Sequence, residues 1–299
     1  MSNIRDLGNK INSLQNMQKV MRAMNMIASI KLRKLISVQE SLALFDKSIE
    51  IIRSDIFSAL QESEHPLAEG YSRIKRIHIV LFTADKGLCG SHNSSVQKAA
   101  AALAEEHQKK GTQVEFSCIG NKGAHFCGRK EYEIFQQAEI NERVFNREEL
   151  KKISSSIFTR FLDNQVQKIY AVGNIFHSTL FQETATLQLL PFFQSRDSAA
   201  EKAGSQTPGS SELRYMETEP SGDALALSAG ELYLFYKLNS LLMNSYLSEH
   251  SSRMTAMENA NNNSEDLVNK YITMQNHARQ ASITNELIEI VSGKEAMKG

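Results

Sequence analysis

The sequence predicts an α/β protein in which long helices from the two chain ends form an antiparallel coiled coil that carries an inserted α/β domain. Three observations predict this fold. Proline is absent before Pro66 and after Pro220, the first segment has an apolar residue at every seventh position, and β-rich runs lie between the two ends. Because proline is the strongest helix breaker, both ends can form long uninterrupted helices.

The N-terminal segment, assigned to residues 1–60, carries one continuous apolar stripe. Its members at every seventh position are Leu7, Leu14, Met21, Ala28, Leu35, Leu42, Ile49 and Ile56. Ile4, Ile11 and Leu32 fill part of the second heptad row, which polar residues such as Gln18 interrupt. At about 1.5 Å per residue, a helix of this length reaches roughly 80 Å, well beyond the width of a compact domain. Such a helix needs a partner.

The C-terminal segment, assigned to residues 224–299, supplies that partner. Its apolar residues at every seventh position are Ala260, Leu267, Met274, Ala281 and Ile288, with an adjoining row of Met257, Tyr271 and Ala278. Because alanine recurs in this stripe, we expect the two helices to approach closely and to bury little area per residue. The stretch ENANNNSED (258–266) is rich in asparagine, a poor helix former. We therefore expect a weak point there, either a local unwinding or a partner contact.

The segment between the helices has the pattern of a sheet covered by helices. Its β-rich runs are IHIVLF (77–82), VEFSCIG (114–120), KIYAVGNIF (168–176) and ATLQLLPF (185–192). A helical pattern ending at Gly111 separates the first two runs, and a second helix is predicted over 146–165. Apolar strands alternating with helices predict a parallel sheet, so we assign residues 72–193 to a Rossmann-like α/β domain. Residues 194–223 are rich in Ser, Gly and charge, which predicts a flexible connection.

Composition argues against several classes of function. The 34 basic and 34 acidic residues give no net charge, which argues against a surface built for nucleic acid. Three cysteines do not make a disulfide framework, and none has the spacing of a zinc site, so we predict no metal and a reducing compartment. No stretch approaches the roughly 20 apolar residues of a membrane span, and the start lacks the apolar core of a signal peptide.

The glycine loop TADKGLCGSHNSS (83–95) raises the question of nucleotide binding. Phosphate-binding loops need several converging backbone amides and a lysine that follows the glycines, whereas KGLCGS has only G-x-x-G with its lysine in front. We therefore predict no nucleotide or other cofactor. Cys89 and His92 are close enough to suggest a thiolate pair, but no third orienting group is visible, so Cys89 is interpreted as structural. Cys118 and Cys127 are interpreted as packing residues.

Charge is concentrated at the N-terminal end. Residues 1–40 contain seven basic residues and two acidic ones. A solvated helix face, an acidic protein partner and an anionic membrane each fit this pattern, and periodicity alone does not separate them.

Three motifs resemble the gamma subunit of the F-type ATP synthase, in the order and spacing of that family. They are INSLQNMQKVMRAMNMIASIKLRK (11–34), DKGLCGSHN (85–93) and ARQASITNELIEIVSG (278–293). The resemblance covers essentially the whole chain. It implies a central rotor shaft inside a ring of alternating alpha and beta subunits, with the α/β domain at the foot beside epsilon and the membrane c-ring. In this family the glycine loop holds no nucleotide.

The resemblance also implies a role and a location. The chain is expected to couple proton-driven c-ring rotation to ATP synthesis or hydrolysis at the alpha/beta sites, without being an enzyme itself. Its expected location is peripheral, on the cytoplasmic face of a bacterial inner membrane. Two other classes stay open on the residues alone: a free-standing α/β nucleotide-binding enzyme with a coiled-coil arm, and a coiled-coil scaffold or membrane-surface tether.

The contact residues are likewise implied by the resemblance. It places Lys19, Arg22 and Met24 against an acidic loop of the beta subunit. The residues expected to face the alpha and beta subunits from the C-terminal helix are Arg253, Gln280, Thr284 and Glu286. The sequence departs from the family at His92, where an aromatic residue is usual, and at Lys294, where alanine is usual.

Overall fold

The computed structural model describes residues 2–60, 65–139, 147–192 and 222–296. Its elements in chain order are α1 (Ser2–Leu60), α2 (Pro66–Glu69), β1 (Arg76–Phe82), α3 (His92–Lys109), β2 (Gln113–Ile119), α4 (Asn121–Arg129), β3 (Glu133–Ala138), α5 (Arg147–Leu162), β4 (Lys168–Phe176), β5 (Gln182–Leu190) and α6 (Gly222–Ala296). The flexible connection predicted over 194–223 lies outside the described residues up to residue 221. Its last two residues belong to α6.

Contacts divide the chain into two compact units. One unit comprises Met1–Lys31 and Arg253–Gly299, and the other comprises Leu32–Ser252. The helices α1 and α6 each contribute to both units. The domain bounds given by the sequence stay a prediction.

The larger unit contains a five-stranded sheet in the order β3-β2-β1-β4-β5. The first four strands are parallel, and β5 runs antiparallel to β4. The predicted fold class and the parallel pairing of the strands that alternate with helices are confirmed, and the fourth predicted run, β5, is antiparallel. Only five residues separate β4 from β5, which suffices for a hairpin, whereas a parallel pair needs a crossover of a dozen or more residues.

Two elements of the sheet domain are absent from the sequence-based prediction. The edge strand β3 has the sequence EIFQQA and is mostly solvent-accessible, so it lacks the apolar run of a central strand. The short helix α4 follows β2 after the single residue Gly120 and contains two glycines, which weaken its helical pattern.

Helices cover both faces of the sheet. On one face, Ile77, Ile79 and Leu81 of β1 pack in a cluster with apolar residues of α3 and α4. On the other face, Val80 and Phe82 pack in a cluster with residues of α5 and α6. The alternation along β1 buries both sets of side chains, which explains the continuous apolar run IHIVLF.

The carboxyl ends of β1 and β2 are joined through Thr83. Its hydroxyl accepts a hydrogen bond from the backbone N–H of Gly123 at 2.7 Å. Gly120, which precedes α4, has φ 102°. A Cβ at Gly120 would lie 2.0 Å from the carbonyl oxygen of Thr83. Only glycine fits at this position, because a side chain would both strain the backbone and overlap the neighbouring strand.

A buried ionic network lies on the α5 face at the amino ends of β1 and β2. The Glu115 carboxylate accepts from Arg76 at 2.9 Å and from Arg160 at 2.7 Å, and its other oxygen lies 2.7 Å from Nδ1 of His78. The second ring nitrogen of His78 lies 2.9 Å from the hydroxyl of Ser117. Ser117, His78 and Glu115 therefore have the hydrogen-bond order of a hydrolase triad, but all three are buried with at most 1% exposure.

Charge compensation in this network determines the protonation states. Burial raises the pKa of Glu115, but the hydrogen bonds from His78 and Arg76 and the positive charge of Arg160 bring its pKa below the ordinary value. Burial lowers the pKa of His78, and the positive charge of Arg160 acts in the same direction against the opposing effect of Glu115. The ring is therefore neutral at neutral pH. The guanidinium of Arg160 also lies 4.0 Å from the ring centroid of Phe135, which shields this side of the network.

Replacing Gly120 by alanine should destabilise the sheet domain. We expect Gly120→Ala to cost about 3 kcal/mol or more, because positive φ and steric overlap add together. Gly128→Ala is the matched control, since a Cβ there meets no atom within 4 Å and the residue lies in α4. It should be neutral or stabilise by up to about 1 kcal/mol. Urea unfolding of the full chain measures both, and equal midpoints for the two variants would contradict the steric argument.

The stability of the folded chain should fall on acidification below about pH 6.5, the ordinary histidine pKa. In this range the unfolded chain takes up a proton at residue 78 that the buried ring does not, so unfolding becomes more favourable as pH falls. Below about pH 4.3, the ordinary glutamate pKa, the unfolded chain also takes up a proton at residue 115 that the folded carboxylate does not, so further stability is lost. His78→Gln should flatten the dependence between pH 7.5 and 5.5 by up to about 1.4 kcal/mol per pH unit. The exposed His177→Gln serves as control, and equal slopes in His78→Gln and the parent chain would overturn this expectation.

Candidate partner-binding surfaces of the terminal helices

The helices α1 and α6 pair in antiparallel orientation within the smaller unit. Three contacts join them: Gln275 Nε2 donates to the carbonyl of Ile4 at 3.3 Å, the Lys10 ammonium lies 5.7 Å from the ring centroid of Tyr271, and Arg22 Nε donates to Asn261 Oδ1 at 3.1 Å. Residue numbers rise along α1 as they fall along α6. The predicted antiparallel pairing of the chain ends is therefore confirmed.

The stripe predicted for α1 is buried or half-buried where its side chains are described. Leu7, Met21 and Ala28 have exposures of 6%, 7% and 1%, and Ile11 of the second row has 8%. The side chains of Leu42 and Ile56 lie outside the described residues. The heptad pattern of the N-terminal segment therefore identifies the correct helix face.

The stripe predicted for α6 is wrong. Leu267, Met274 and Ile288 are 43%, 47% and 60% exposed. The buried side chains are instead Met257 of the predicted adjoining row, Ser264 and Val268. Tyr271 and Ala278 of the adjoining row are half-buried and continue this face. The helix turns its more polar row toward α1, since Asn261 and Gln275 find hydrogen-bond partners there.

The asparagine-rich stretch 258–266 is helical throughout, so the expected unwinding is wrong. Asn261 is held by Arg22 and Ser264 is buried. Tertiary contacts outweigh the low helix propensity of asparagine here, as they commonly do.

The end of α6 extends beyond α1. Because Gln275 already meets Ile4, antiparallel pairing leaves no described residue of α1 opposite α6 beyond about residue 279. All described residues from 283 to 296 are exposed. Ala281 is also exposed, so its assignment to a close helix pair is wrong.

The contact residues implied by the family resemblance lie in separate places. Lys19 and Arg22 are exposed on α1, and Met24 is half-buried. On α6, Arg253 is buried, whereas Gln280, Thr284 and Glu286 are exposed on the tip, defined here as residues 280–296. The Thr284 hydroxyl donates to the carbonyl of Gln280 at 2.9 Å, and Glu286 accepts from Ser282 at 3.3 Å.

Both helices expose large apolar side chains, and heptad analysis singles out only Ile288 among them. Each is at least half exposed: Met17, Val20, Met26, Ile27 and Ile30 on α1, and Ile283, Leu287, Ile288, Ile290 and Val291 on α6. Scattered apolar residues are ordinary on a surface, but a run of this length marks a site for another protein. The available signal in the sequence was the excess of apolar residues outside the heptad rows.

The glycine loop is packed against the sheet. His92 is buried, its Nδ1 lies 2.9 Å from the side-chain nitrogen of Asn174, and Asn174 accepts from Thr184 at 2.7 Å. Asn93 donates to the sulfur of Cys89 at 3.1 Å. His92 is thus buried at the position where the family usually has an aromatic residue. Across the described ranges, no group of three or more His, Cys, Asp and Glu side chains is arranged to hold a metal ion.

None of the described helices is long and apolar enough to cross a membrane. With long paired helices, an α/β sheet domain and exposed apolar faces, the chain is of the class of proteins that dock on other chains.

A family model described as ATP synthase matches residues 3–297. Curated relatives named ATP synthase gamma chain include those of Maridesulfovibrio salexigens, 33% identical over 303 residues, and of Helicobacter pylori, 32% identical over 308 residues. Both alignments cover 100% of each chain.

Solved structures agree in fold. The chain matches the rotor of the Euglena gracilis mitochondrial ATP synthase with a TM-score of 0.63 and 15% identity, covering 94% of this chain and 99% of that one. It matches the central stalk and c-ring structure of the Tetrahymena thermophila enzyme with a TM-score of 0.60 and 23% identity, covering 81% and 99%. The chain belongs to the ATP synthase gamma chain family.

Identical substitutions at Ala28 and Ala281 should have opposite outcomes. Ala28→Leu adds three carbons at a position that is 1% exposed and should cost about 1 to 3 kcal/mol by overpacking. Ala281→Leu lies on the exposed tip and should change stability by less than about 0.5 kcal/mol. Thermal unfolding of the full chain, followed by its helical circular dichroism, compares the two. A larger loss in Ala281→Leu would contradict the pairing register.

Proposed function

We propose that the chain is the central rotor shaft of an F-type ATP synthase, coupling proton-driven rotation of the c-ring to ATP synthesis or hydrolysis at the alpha and beta subunits. Full-length similarity to curated gamma chains supports this role. The observation that carries it is the antiparallel helix pair whose outer faces remain apolar and exposed. A helix pair that had only to hold itself together would bury those side chains or replace them with polar ones.

The coupling we propose is conformational. A ring of catalytic subunits around this shaft meets a different surface at each angle: the basic and apolar face of α1 on one side, and α6 on the other. Each orientation therefore stabilises a different state of each catalytic site through differential contact free energy. In this proposal the chain performs no chemistry itself and needs no cofactor, and no described residue has to touch nucleotide.

The basic face of α1 is the proposed contact for an acidic loop of the beta subunit. Lys19 and Arg22 are exposed there, and Met24 lies on the same helix. The hydrogen bond from Arg22 to Asn261 holds the guanidinium against the paired helix, so its charge is presented from a fixed position. Exposed Met26 and Ile27 add apolar contact area beside the charges.

The tip of α6 is the proposed contact for the alpha and beta subunits at the other end of the pair. Gln280, Thr284, Leu287 and Val291 recur at spacings of four, three and four residues, so they share one helix face. Leu287 and Val291 are 57% and 59% exposed. The face is polar near the helix pair and apolar toward the end of α6, which suits a surrounding binding site with an apolar interior. Glu286 lies on a different face, and buried Arg253 would need a local rearrangement to meet a partner.

The sheet domain is the proposed foot of the shaft. We assign residues 72–193 to it and residues 194–223 to a flexible connection, with epsilon and the c-ring as neighbours. The location we propose is peripheral, on the cytoplasmic face of a bacterial inner membrane.

A charge at Met24 tests the proposed rotor contact. Met24→Lys should add about 1 kcal/mol or more of attraction to an acidic loop, and this contact must break in every cycle. We expect normal assembly in membrane vesicles but less proton pumping per ATP hydrolysed. Met24→Leu is the control of similar size without charge and should keep the parent ratio. An unchanged ratio in Met24→Lys would remove this contact, and full coupling in complexes that lack the chain would refute the rotor function.

A further inference from the structure

Two buried cysteines of the sheet domain face each other. Cys118 near the end of β2 and Cys127 near the end of α4 have exposures of 1% and 0%, and their sulfurs are 3.6 Å apart. Both are reduced thiols. A disulfide bond is about 2.05 Å long, so the sulfurs must approach by roughly 1.5 Å to form one. We propose that Cys118 and Cys127 are a modification site, a dithiol that a peroxide converts reversibly into a disulfide joining α4 to β2.

The anchoring of α4 allows this approach. Its N-terminal end is fixed by three hydrogen bonds: Asn121 N–H to Asp85 at 2.9 Å, Lys122 N–H to the carbonyl of Ala84 at 3.1 Å, and Gly123 N–H to Thr83 at 2.7 Å. Cys127 lies at the opposite end of this helix. Cys127 is 0% exposed and its carbonyl accepts from the Tyr132 N–H at 3.0 Å, so the approach needs a small shift of this end together with rotation of the two cysteine side chains. The helix can pivot about its fixed end.

Burial of the two sulfurs determines which oxidant can reach them and which product forms. The shared hydrogen bond with Cys127 and burial raise the pKa of the Cys118 thiol, so thiolate is scarce and oxidation is slow. Burial of both sulfurs keeps large charged oxidants out. Hydrogen peroxide is neutral and nearly as small as water, and it can reach the pair when α4 opens locally. Because neither sulfur faces solvent, the intramolecular partner is the one within reach. Oxidation is therefore slower than at an exposed thiol and specific for this pair.

The reaction balances with peroxide as the only oxidant. One thiol attacks the peroxide, an S–O bond forms, the O–O bond breaks, and one water leaves with the product sulfenic acid. The second thiol attacks the sulfenic sulfur, the S–S bond forms, the S–O bond breaks, and a second water leaves. Two cysteine sulfurs lose two electrons in total to one peroxide. A dithiol reductant reverses the product by exchange.

The tryptic map of the chain separates all three cysteines. Cleavage after Lys86, Lys98, Lys110, Lys122 and Arg129 places Cys89 in peptide 87–98, Cys118 in 111–122 and Cys127 in 123–129. The folded full chain is treated with hydrogen peroxide, alkylated, digested and analysed by mass spectrometry. Peptides 111–122 and 123–129 should appear linked with the loss of two hydrogens. Dithiothreitol before alkylation should abolish the link.

Matched variants decide the assignment. Cys89→Ala should retain the linked peptides, whereas Cys118→Ala and Cys127→Ala each lack one of the two sulfurs and should form no linked pair, with folding checked by circular dichroism. In a urea-unfolded chain all three pairings should appear, which shows that the folded state selects one. Peptide 87–98 linked as often as the pair, links only between chains, or overoxidised cysteines without a link would each overturn the proposal.

Discussion

The antiparallel pairing of α1 with α6 is the constraint on which the architecture depends. It joins segments separated by more than two hundred residues, since Arg22 bonds to Asn261 and Gln275 bonds to Ile4. The chain therefore passes from α1 into the sheet domain and continues from it into α6. The buried row of the pairing is not apolar throughout, because it includes polar Ser264. A buried apolar side chain contributes about 1.5 to 3 kcal/mol to the free energy of unfolding, and a buried serine lacks this contribution. The helix pair is therefore only modestly stable on its own.

A modestly stable pair suits a chain that works inside an assembly. Its exposed apolar residues, including Met26 and Ile290 with 67% exposure each, have an unfavourable hydration free energy that a surrounding partner would remove. The sheet domain is built differently. Its two clusters are closed, its central strands are buried on both faces, and even the charged Glu115 has its partners inside. The two buried clusters thus lie in the sheet domain, whereas the terminal helices leave large apolar side chains exposed.

Much of the fold could be predicted from the sequence because its signals are local. The stripe through Leu7 and Met21, and the strand KIYAVGNIF (168–176), match the structure, since apolar periodicity there follows burial. The same reasoning was wrong on α6, where Leu267 and Met274 face solvent. Apolar periodicity finds an apolar row, and it does not say whether this chain or another one covers it. The edge strand β3 was missed for the related reason that an edge needs little burial.

The candidate contacts show the same division. Lys19, Gln280 and Thr284 are exposed and Arg253 is buried, and their contacts with partner subunits stay a prediction. The approach of Cys118 to Cys127 was not predictable, because it depends on how α4 lies on β2. Sequence spacing gave no reason to single out this pair. Long-range contacts between side chains need the packed structure.

The unpaired tip of α6 has a thermodynamic consequence. From residue 280 to residue 296 it is a single helix, about 25 Å long at 1.5 Å per residue, with no neighbour in the described chain. A lone helix of this length is only marginally stable in water. A partner that surrounds this segment must therefore also order its backbone, and the free-energy cost of that ordering lowers the affinity of binding. By linkage, a substitution that raises helix propensity on this segment strengthens assembly without adding a contact.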